Sequence, residues 1–476
     1  MGEKYIIGID EGSQSAKITI FDTKGNIVCE DKEPLRPYSL PKPGYVEHPE
    51  DDWWDAICAA SKKCMGKFQG NTADIVGIGL CTIRCCRAYL KEDGSLAQPA
   101  LSWMDIRVSQ PYVHENPDVR WICASSGYIT NRLTGEFKDT IANYEYGWPV
   151  DVDSWKWSDD PESYKATGMP RKMLFELVMP GDILGHVTKE AALRTGLPEG
   201  VPVVATSNDK AVEGLGTGCM GDTTACLSLG TYTTAMMEGK ENLQGTSYAW
   251  PKFSCVSHKY LYDSNGIRRG MWTISWFREV LGESYVKMAK ERGMSAEELL
   301  SQEAEEVPVG SDGLMTVLDW LAPVDARYKK GIMIGFDGRH TRGHIYRSLL
   351  EAVAMTMKKH VDDMQKEVGV TLEKMIVTGG GSNSDLFMQI LADVFQMPTV
   401  RNEVNGAAGL GSAICAAVAA GIYAGFDEAV AGMVRIKDTF TPDPENIRLY
   451  QKMLPIYLGI TEHTDEVLKK TYEIFE

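Results

Sequence analysis

The chain has 476 residues, 43% hydrophobic and 9% aromatic, which suits two cores of ordinary domain size and excludes a disordered or fibrous protein. A formal net charge of −17 argues against nucleic acid or an anionic membrane surface as partner, because both reward positive fields. Eleven cysteines lie scattered without a C-x-x-C pair, and no run reaches the roughly 20 apolar residues of a membrane span, so a reduced, cytoplasmic protein is expected.

In chain order, KYIIGID reads as a buried strand and KITIFDTKGNIV as a β-hairpin turning at Lys24, Gly25 and Asn26. Acids followed by helical apolar spacing predict an amphipathic helix from Pro49 to Phe68. DIVGIGLC is a further strand, and RAYLKEDGSLAQPALSW a hairpin-like stretch, which together make a mixed α/β lobe. Residues 151–182 are rich in Trp and Pro without a clean period, and irregular surface structure is expected there. VPVVATSNDKAVEGLGTG returns to strand and helix, and TTACLSLGTYTTAMME to a pair of strands. Beyond these, RSLLEAVAMTMKKHVDDMQKEVG is a long helix, KMIVTGGG a strand and turn, and SDLFMQILADVFQ a helix. GAAGLGSAICAAVAAG is an Ala/Gly helix suited to close packing. Each half has strands, a glycine turn and covering helices without any sequence repeat. The boundary is placed at Gly245, giving units 1–245 and 246–476.

Three turns carry the chemistry: IIGIDEGSQSAK, LSLGTYTTA and MIVTGGGSNSDLF. In each, an apolar strand ends in small residues whose backbone N–H groups can cradle phosphate oxygens. The first also holds Asp10, an acid able to orient a metal ion bridging phosphates. Taken together the turns point to a nucleotide held between two lobes. Asp209 precedes an apolar helical run and reads equally as a helix N-cap or as a base. Leu229-Gly230-Thr231 alone is an ordinary turn, whereas the successive Gly379, Gly380 and Gly381 exceed what a plain strand-to-helix turn needs. Trp272 and Trp276 have the i, i+4 spacing of one helix face, for which core packing is the default.

IGIDEGSQSAK, WMDIR, NRLTGEF, SNDKAVEGLGTG, LSLGT and GGGSNSDLFMQILADV occur in the order found in the FGGY family of carbohydrate kinases, which the chain resembles from about residue 5 to about residue 425. GIMIGFDGRHTRGHIYRSLLEA is similar to that family's second signature, with Gly331, Gly335, His344, Ser348 and Glu351 in place. Within the family it resembles a poorly characterised branch of sugar kinases, including the IRCCRA segment. The resemblance implies two ribonuclease-H-like domains of the actin-like ATPase kind, with ATP, Mg²⁺ and a sugar or polyol in the interdomain cleft.

By the same resemblance Asp209 is the catalytic base and Asp10 the acid that orients Mg²⁺. Gly12, Ser13 and Lys17 would meet the nucleotide phosphates, with Ser13 where Thr is more usual. Gly230 and Thr231 form a second phosphate turn, and Gly379, Gly380 and Gly381 lie against the adenosine. Asn383 or Ser384 meets the base or ribose. Arg84 occupies the sugar-binding segment, where its donors suit hydroxyls or a carboxylate. Trp103, Asp105 and Arg107 form a W-x-D-x-R motif whose Asp is a candidate sugar contact and whose Arg reads equally as an ion pair shaping the loop.

Two departures stand out. Cys85 and Cys86 replace polar residues that relatives use for the substrate, and a Lys-x-x-Trp segment after W-x-D-x-R is missing. Either the pocket is then open, or it is closed by a neighbouring subunit, as in the homodimers common among relatives, or by residues 151–182 with Trp155 and Trp157. The readings weighed against a kinase are an actin-like ATPase switch and a sugar sensor without phosphotransfer.

Overall fold

The computed structural model describes residues 3–145, 147–323 and 326–475. The short apolar runs of the first half, buried along nearly their whole length in the central strands, form the first mixed sheet. Its strands are β1 (Tyr5–Glu11), β2 (Ser15–Asp22), β3 (Ile27–Pro34), β4 (Ile75–Thr82), β5 (Ile183–His186) and β6 (Pro202–Asn208). Their order across the sheet is β5–β6–β4–β1–β2–β3, with β1, β4 and β6 parallel. β2 pairs antiparallel with β1, placing Asp10 opposite Lys17. Helix α1 (Asp52–Lys67) covers one face, burying Trp53, Trp54 and Ile57, and begins two residues after Glu50 rather than at Pro49. Helix α2 (Asp209–Thr217) follows β6 directly.

The second sheet comprises β7 (Thr224–Leu229), β8 (Thr233–Gly239), β9 (Ala249–Phe253), β10 (Tyr260–Ser264), β11 (Lys374–Thr378), β12 (Thr399–Asn402) and β13 (Ile436–Phe440), in the order β9–β10–β8–β7–β11–β12–β13. Here β7, β11 and β12 are parallel and β8 is antiparallel to β7. The succession β3–β2–β1–β4–β6 in one sheet and β10–β8–β7–β11–β12 in the other thus has the same order and sense. The helices of this half include α3 (Trp272–Leu281), α4 (Arg342–Val368), α5 (Asp385–Phe395), α6 (Ala407–Ala419) and α7 (Pro444–Phe475).

Several expectations change. β7 and β8 are central strands of the second sheet, so the LSLGT hairpin lies on the far side of the junction from where a boundary at Gly245 would put it. RAYLKEDGSLAQPALSW does close on itself, with antiparallel bridges Leu90–Leu96 and Arg87–Leu101 around a turn at Lys91 to Ser95. Its strands also reach outward, Ala88–Leu90 pairing with Trp121–Cys123 and Ala100–Leu101 with Glu47–His48. Residues 151–182 include a helix at Pro161–Thr167, and Trp155 and Trp157 are 4% and 7% exposed. Trp155 packs on Phe253 at 4.4 Å between ring centroids, and its Nε1 donates to the Tyr260 hydroxyl. The aromatic groups are therefore core and do not wall an open pocket.

The Ala/Gly helix α6 comes from the second half yet packs on β1, β4 and α2 of the first. A side chain at Gly411 would place its Cβ 2.0 Å from the Val212 carbonyl oxygen on α2. Only glycine allows this approach. Ile6, Val212, Leu215, Ile414, Met236 and Ile376 share one buried cluster, so α2 and α6 form the packed joint between the two sheets.

Candidate functional site

In open sheets with parallel strands, ligands gather at the carboxyl ends of those strands. At that edge of the first sheet stand Asp10 on β1, Arg84 two residues after β4, and Asp209 just after β6. At the same edge of the second sheet stand Gly230 and Thr231 after β7, and Gly379 to Gly381 after β11. The two glycine turns touch. A Cβ on Gly379, whose φ is +88°, would lie 2.6 Å from the Leu229 carbonyl oxygen. The Gly230 carbonyl accepts from the Met271 N–H and the Thr233 hydroxyl.

Asp209 does not cap its helix. Asn208 does, its side-chain oxygen accepting from the Ala211 N–H at 3.0 Å. One Asp209 oxygen accepts from the Lys210 N–H and lies 3.6 Å from Arg84 Nε, and about a third of the side chain is open to solvent. Burial is the largest influence on Asp10, and the Asp209 and Glu213 carboxylates add to it, pushing its carboxyl up to about 6 against the weaker pull of Lys17 and Lys210. A half-buried acid with two acidic neighbours is an excess of negative charge that a divalent cation would relieve. No group of three or more His, Cys, Asp or Glu is gathered for a metal among the described residues, so Asp10 together with the nucleotide phosphates would supply the ligands of Mg²⁺. Glu11, next in the chain, is fully buried with neither carboxylate oxygen hydrogen-bonded, and burial pushes it well above the carboxylate range.

The remaining expected residues divide. The first turn is tight, with Gly12 N–H donating to the Ser15 carbonyl and Tyr38 hydroxyl to the Ser13 carbonyl. Lys17 Nζ pairs with Glu30 at 2.8 Å and points toward Gly406, where α6 begins. Asn383 is exposed, whereas Ser384 is occupied as the α5 N-cap, accepting from the Phe387 N–H. Trp103 is half exposed. The Asp105 carboxylate has no exposure and accepts from the Val46 N–H and from the backbone and guanidinium of Arg107. The acceptor sites of Asp105 are thus taken up by the loop and by Arg107, in the ion-pair arrangement that shapes the loop. Cys85 is exposed with φ +60° while Cys86 is buried. Trp276 packs on Trp320 at 4.9 Å, and Arg269 lies over Trp272.

Contacts across the cleft were not foreseen from the sequence. Arg84 Nη2 donates to Asp263 on β10 at 3.0 Å. Lys210 Nζ donates to Glu213 and to Ser228 on β7, and the Ser228 hydroxyl donates back to Glu213. Behind them Glu145 pairs with Lys252 at 3.2 Å and accepts from Asn208. Lys210 and Glu213 lie inside the SNDKAVEGLG segment, three residues apart on one helix face, which was the available signal. Nothing local marks Asp263. In the second signature Glu351 accepts from Gly310 N–H, Ser311, Arg347 and Tyr450, so it ties the second core together. No helix among the described residues is long and apolar enough to cross a membrane.

Comparison with known proteins bears on the family and the fold. Residues 5–115 and 110–216 match the FGGY family of carbohydrate kinases, N-terminal domain, and residues 225–420 match its C-terminal domain. The uncharacterized sugar kinase YgcE of Escherichia coli (strain K12) is 52% identical over 475 residues, covering 100% of this chain and 96% of that protein. Xylulose kinase from Rhodospirillum rubrum superposes with a TM-score of 0.83 at 24% identity, covering 98% of this chain and 100% of that one. Gluconate kinase from Lactobacillus acidophilus gives 0.84 at 17% identity, covering 99% and 100%. These likenesses to solved structures show the fold, two domains of mixed sheet and helix. With both domain matches in order along most of its length, the chain belongs to the FGGY family of carbohydrate kinases.

Proposed function

We propose that this sugar kinase transfers the γ-phosphoryl of ATP to a hydroxyl of a sugar, polyol or sugar acid held between its two sheets, with Asp209 as general base. The observation that carries the reading is the convergence of Asp209, Asp10 and the two touching glycine turns at the carboxyl ends of the parallel strands. Phosphoryl transfer needs an alcohol in line, a proton acceptor and neutralised phosphate charge, and little covalent help. Asp209 is relieved of capping by Asn208 and open to the cleft, so it can accept the hydroxyl proton as the bond to phosphorus forms.

The backbone N–H groups around Gly12, Ser13, Gly230 and Thr231 would hold the phosphates. Gly379, Gly380, Gly381 and Asn383 would border the adenosine, and Lys17 would add a positive charge. Asp10 would hold Mg²⁺, which when bound with the nucleotide neutralises charge on the phosphate oxygens. We place the junction of the two units at 218–223, between α2 and β7. Closing the cleft over both ligands would exclude water and limit futile ATP hydrolysis.

The relatives named above act, by their names, on xylulose and gluconate. The test is an ADP-release assay with Mg·ATP across pentoses, ketoses, polyols and sugar acids, run on wild type and Asp209→Ala. A sugar-dependent rate that falls at least a hundredfold in the variant is expected. ADP release indifferent to every sugar, or a variant keeping most of the rate, would refute the assignment.

A further inference from the structure

We infer that Asp263 sets the charge of the accepted substrate: by engaging Arg84 across the cleft it denies that guanidinium to a carboxylate, so the enzyme takes an uncharged ketose or polyol in preference to a sugar acid. This rests on the sugar site proposed above and narrows it.

Arg84 faces carboxylates on two elements. Its Nε lies 3.6 Å from Asp209 after β6, and its Nη2 donates at 3.0 Å to Asp263 on β10. Asp263 is itself fixed, because its other oxygen accepts from the Thr234 hydroxyl at 2.9 Å and its side chain is 8% exposed. The guanidinium edge bearing Nε and Nη2, the fork that would grip a substrate carboxylate with two parallel hydrogen bonds, is therefore divided between two protein acids. Arg84 Nη1 is buried without a hydrogen-bond partner. About a fifth of the Arg84 side chain stays open, which leaves room for single hydrogen bonds to hydroxyls rather than a paired grip on a carboxylate.

The charge around the site points the same way. Asp209, Asp263 and Glu145 stand against Arg84 and Lys252, a balance of −1, and Asp10 and Glu213 are offset by Lys17 and Lys210, which leaves it there. Burial works against the Arg84 charge, but Asp263, Asp209 and Glu145 outweigh it and raise its hold on the proton, so the arginine is the stable centre of an acidic surround. Cys85, the next residue, brings a thiol and no positive charge. A sugar acid would add a further carboxylate to a site whose cations are already engaged. A neutral polyol would find donors in Arg84 and acceptors in the carboxylates.

The experiment is initial-rate kinetics on matched neutral and acidic pairs, xylitol and D-xylulose against D-xylonate and sorbitol against D-gluconate. Wild type, Asp263→Asn and Thr234→Val are compared, with ATP binding measured separately. Wild type should favour the neutral partner in kcat/KM by at least tenfold. Asp263→Asn keeps the shape and removes the charge, and should narrow the neutral-to-acid ratio by at least tenfold, chiefly through KM. Thr234→Val, which loosens Asp263 without touching Arg84, should move the ratio the same way by less. A merely structural role would lower both classes alike and leave the ratio unchanged, which would overturn the inference while the kinase reading stood. A wild type that prefers the acids would do the same. Turnover of neither class by proteins that still bind ATP would instead sink the sugar site, and the inference with it.

Discussion

Asp10 carries a cost that its replacement should remove. Its carboxyl is pushed up to about 6, first by burial and then by Asp209 and Glu213, whereas an Asp in the unfolded chain titrates near 3.9. The folded state therefore binds the proton more tightly, and wild-type stability falls as pH rises from about 4 to about 6 and stays low above that window. A shift of roughly two units corresponds to about 3 kcal/mol at pH 7.5, and the part already lost at pH 5 is about 1.5 kcal/mol. Asp10→Asn lacks the charge at every pH. Without ligands it should be more stable than wild type by about 1.5 kcal/mol at pH 5 and about 3 kcal/mol at pH 7.5. For a chain of this length that is a rise in melting temperature of about 3 °C at pH 7.5, read by scanning calorimetry. The same variant should lose affinity for Mg·ATP, an exchange of stability for function at one residue. A gain equal at the two pH values, or no gain at pH 7.5, would refute the charge account of Asp10.

Other outcomes follow from single contacts. Gly379→Ala forces a Cβ against the Leu229 carbonyl at φ +88°, so ATP affinity should fall at least tenfold by calorimetric titration, with a stability loss of about 2 kcal/mol. Glu351→Ala leaves the buried Arg347 guanidinium without its partner and should cost about 3–5 kcal/mol in denaturant unfolding, with little effect on KM for ATP in protein that folds. Gly411→Val overpacks the joint between α2 and α6 and should destabilise by about 3 kcal/mol, or abolish soluble expression.

What could be read without coordinates was whatever local chemistry encodes. Short apolar runs marked β1, β2 and β11, and the need for bare backbone marked the turn at Gly379, because these follow from residues a few positions apart. The aperiodic Trp-rich stretch read as surface because its partners, Phe253 and Tyr260, lie about a hundred residues away. Helix α7 went unread, as Pro455 and a mixed polarity hide its period. The close packing of α6 was legible in its Ala and Gly content, but not that it would pack on the sheet of the other half. The site has the same asymmetry. Asp209 and Asp10 sit in motifs, while Asp263 is one acid in an ordinary strand, and its meaning comes only from Arg84, 179 residues earlier. In this two-lobed kinase the groups that would hold phosphate belong to turns and are spelled locally. The groups that would choose the sugar act in pairs across the cleft, so one sequence names the chemistry before it names the substrate.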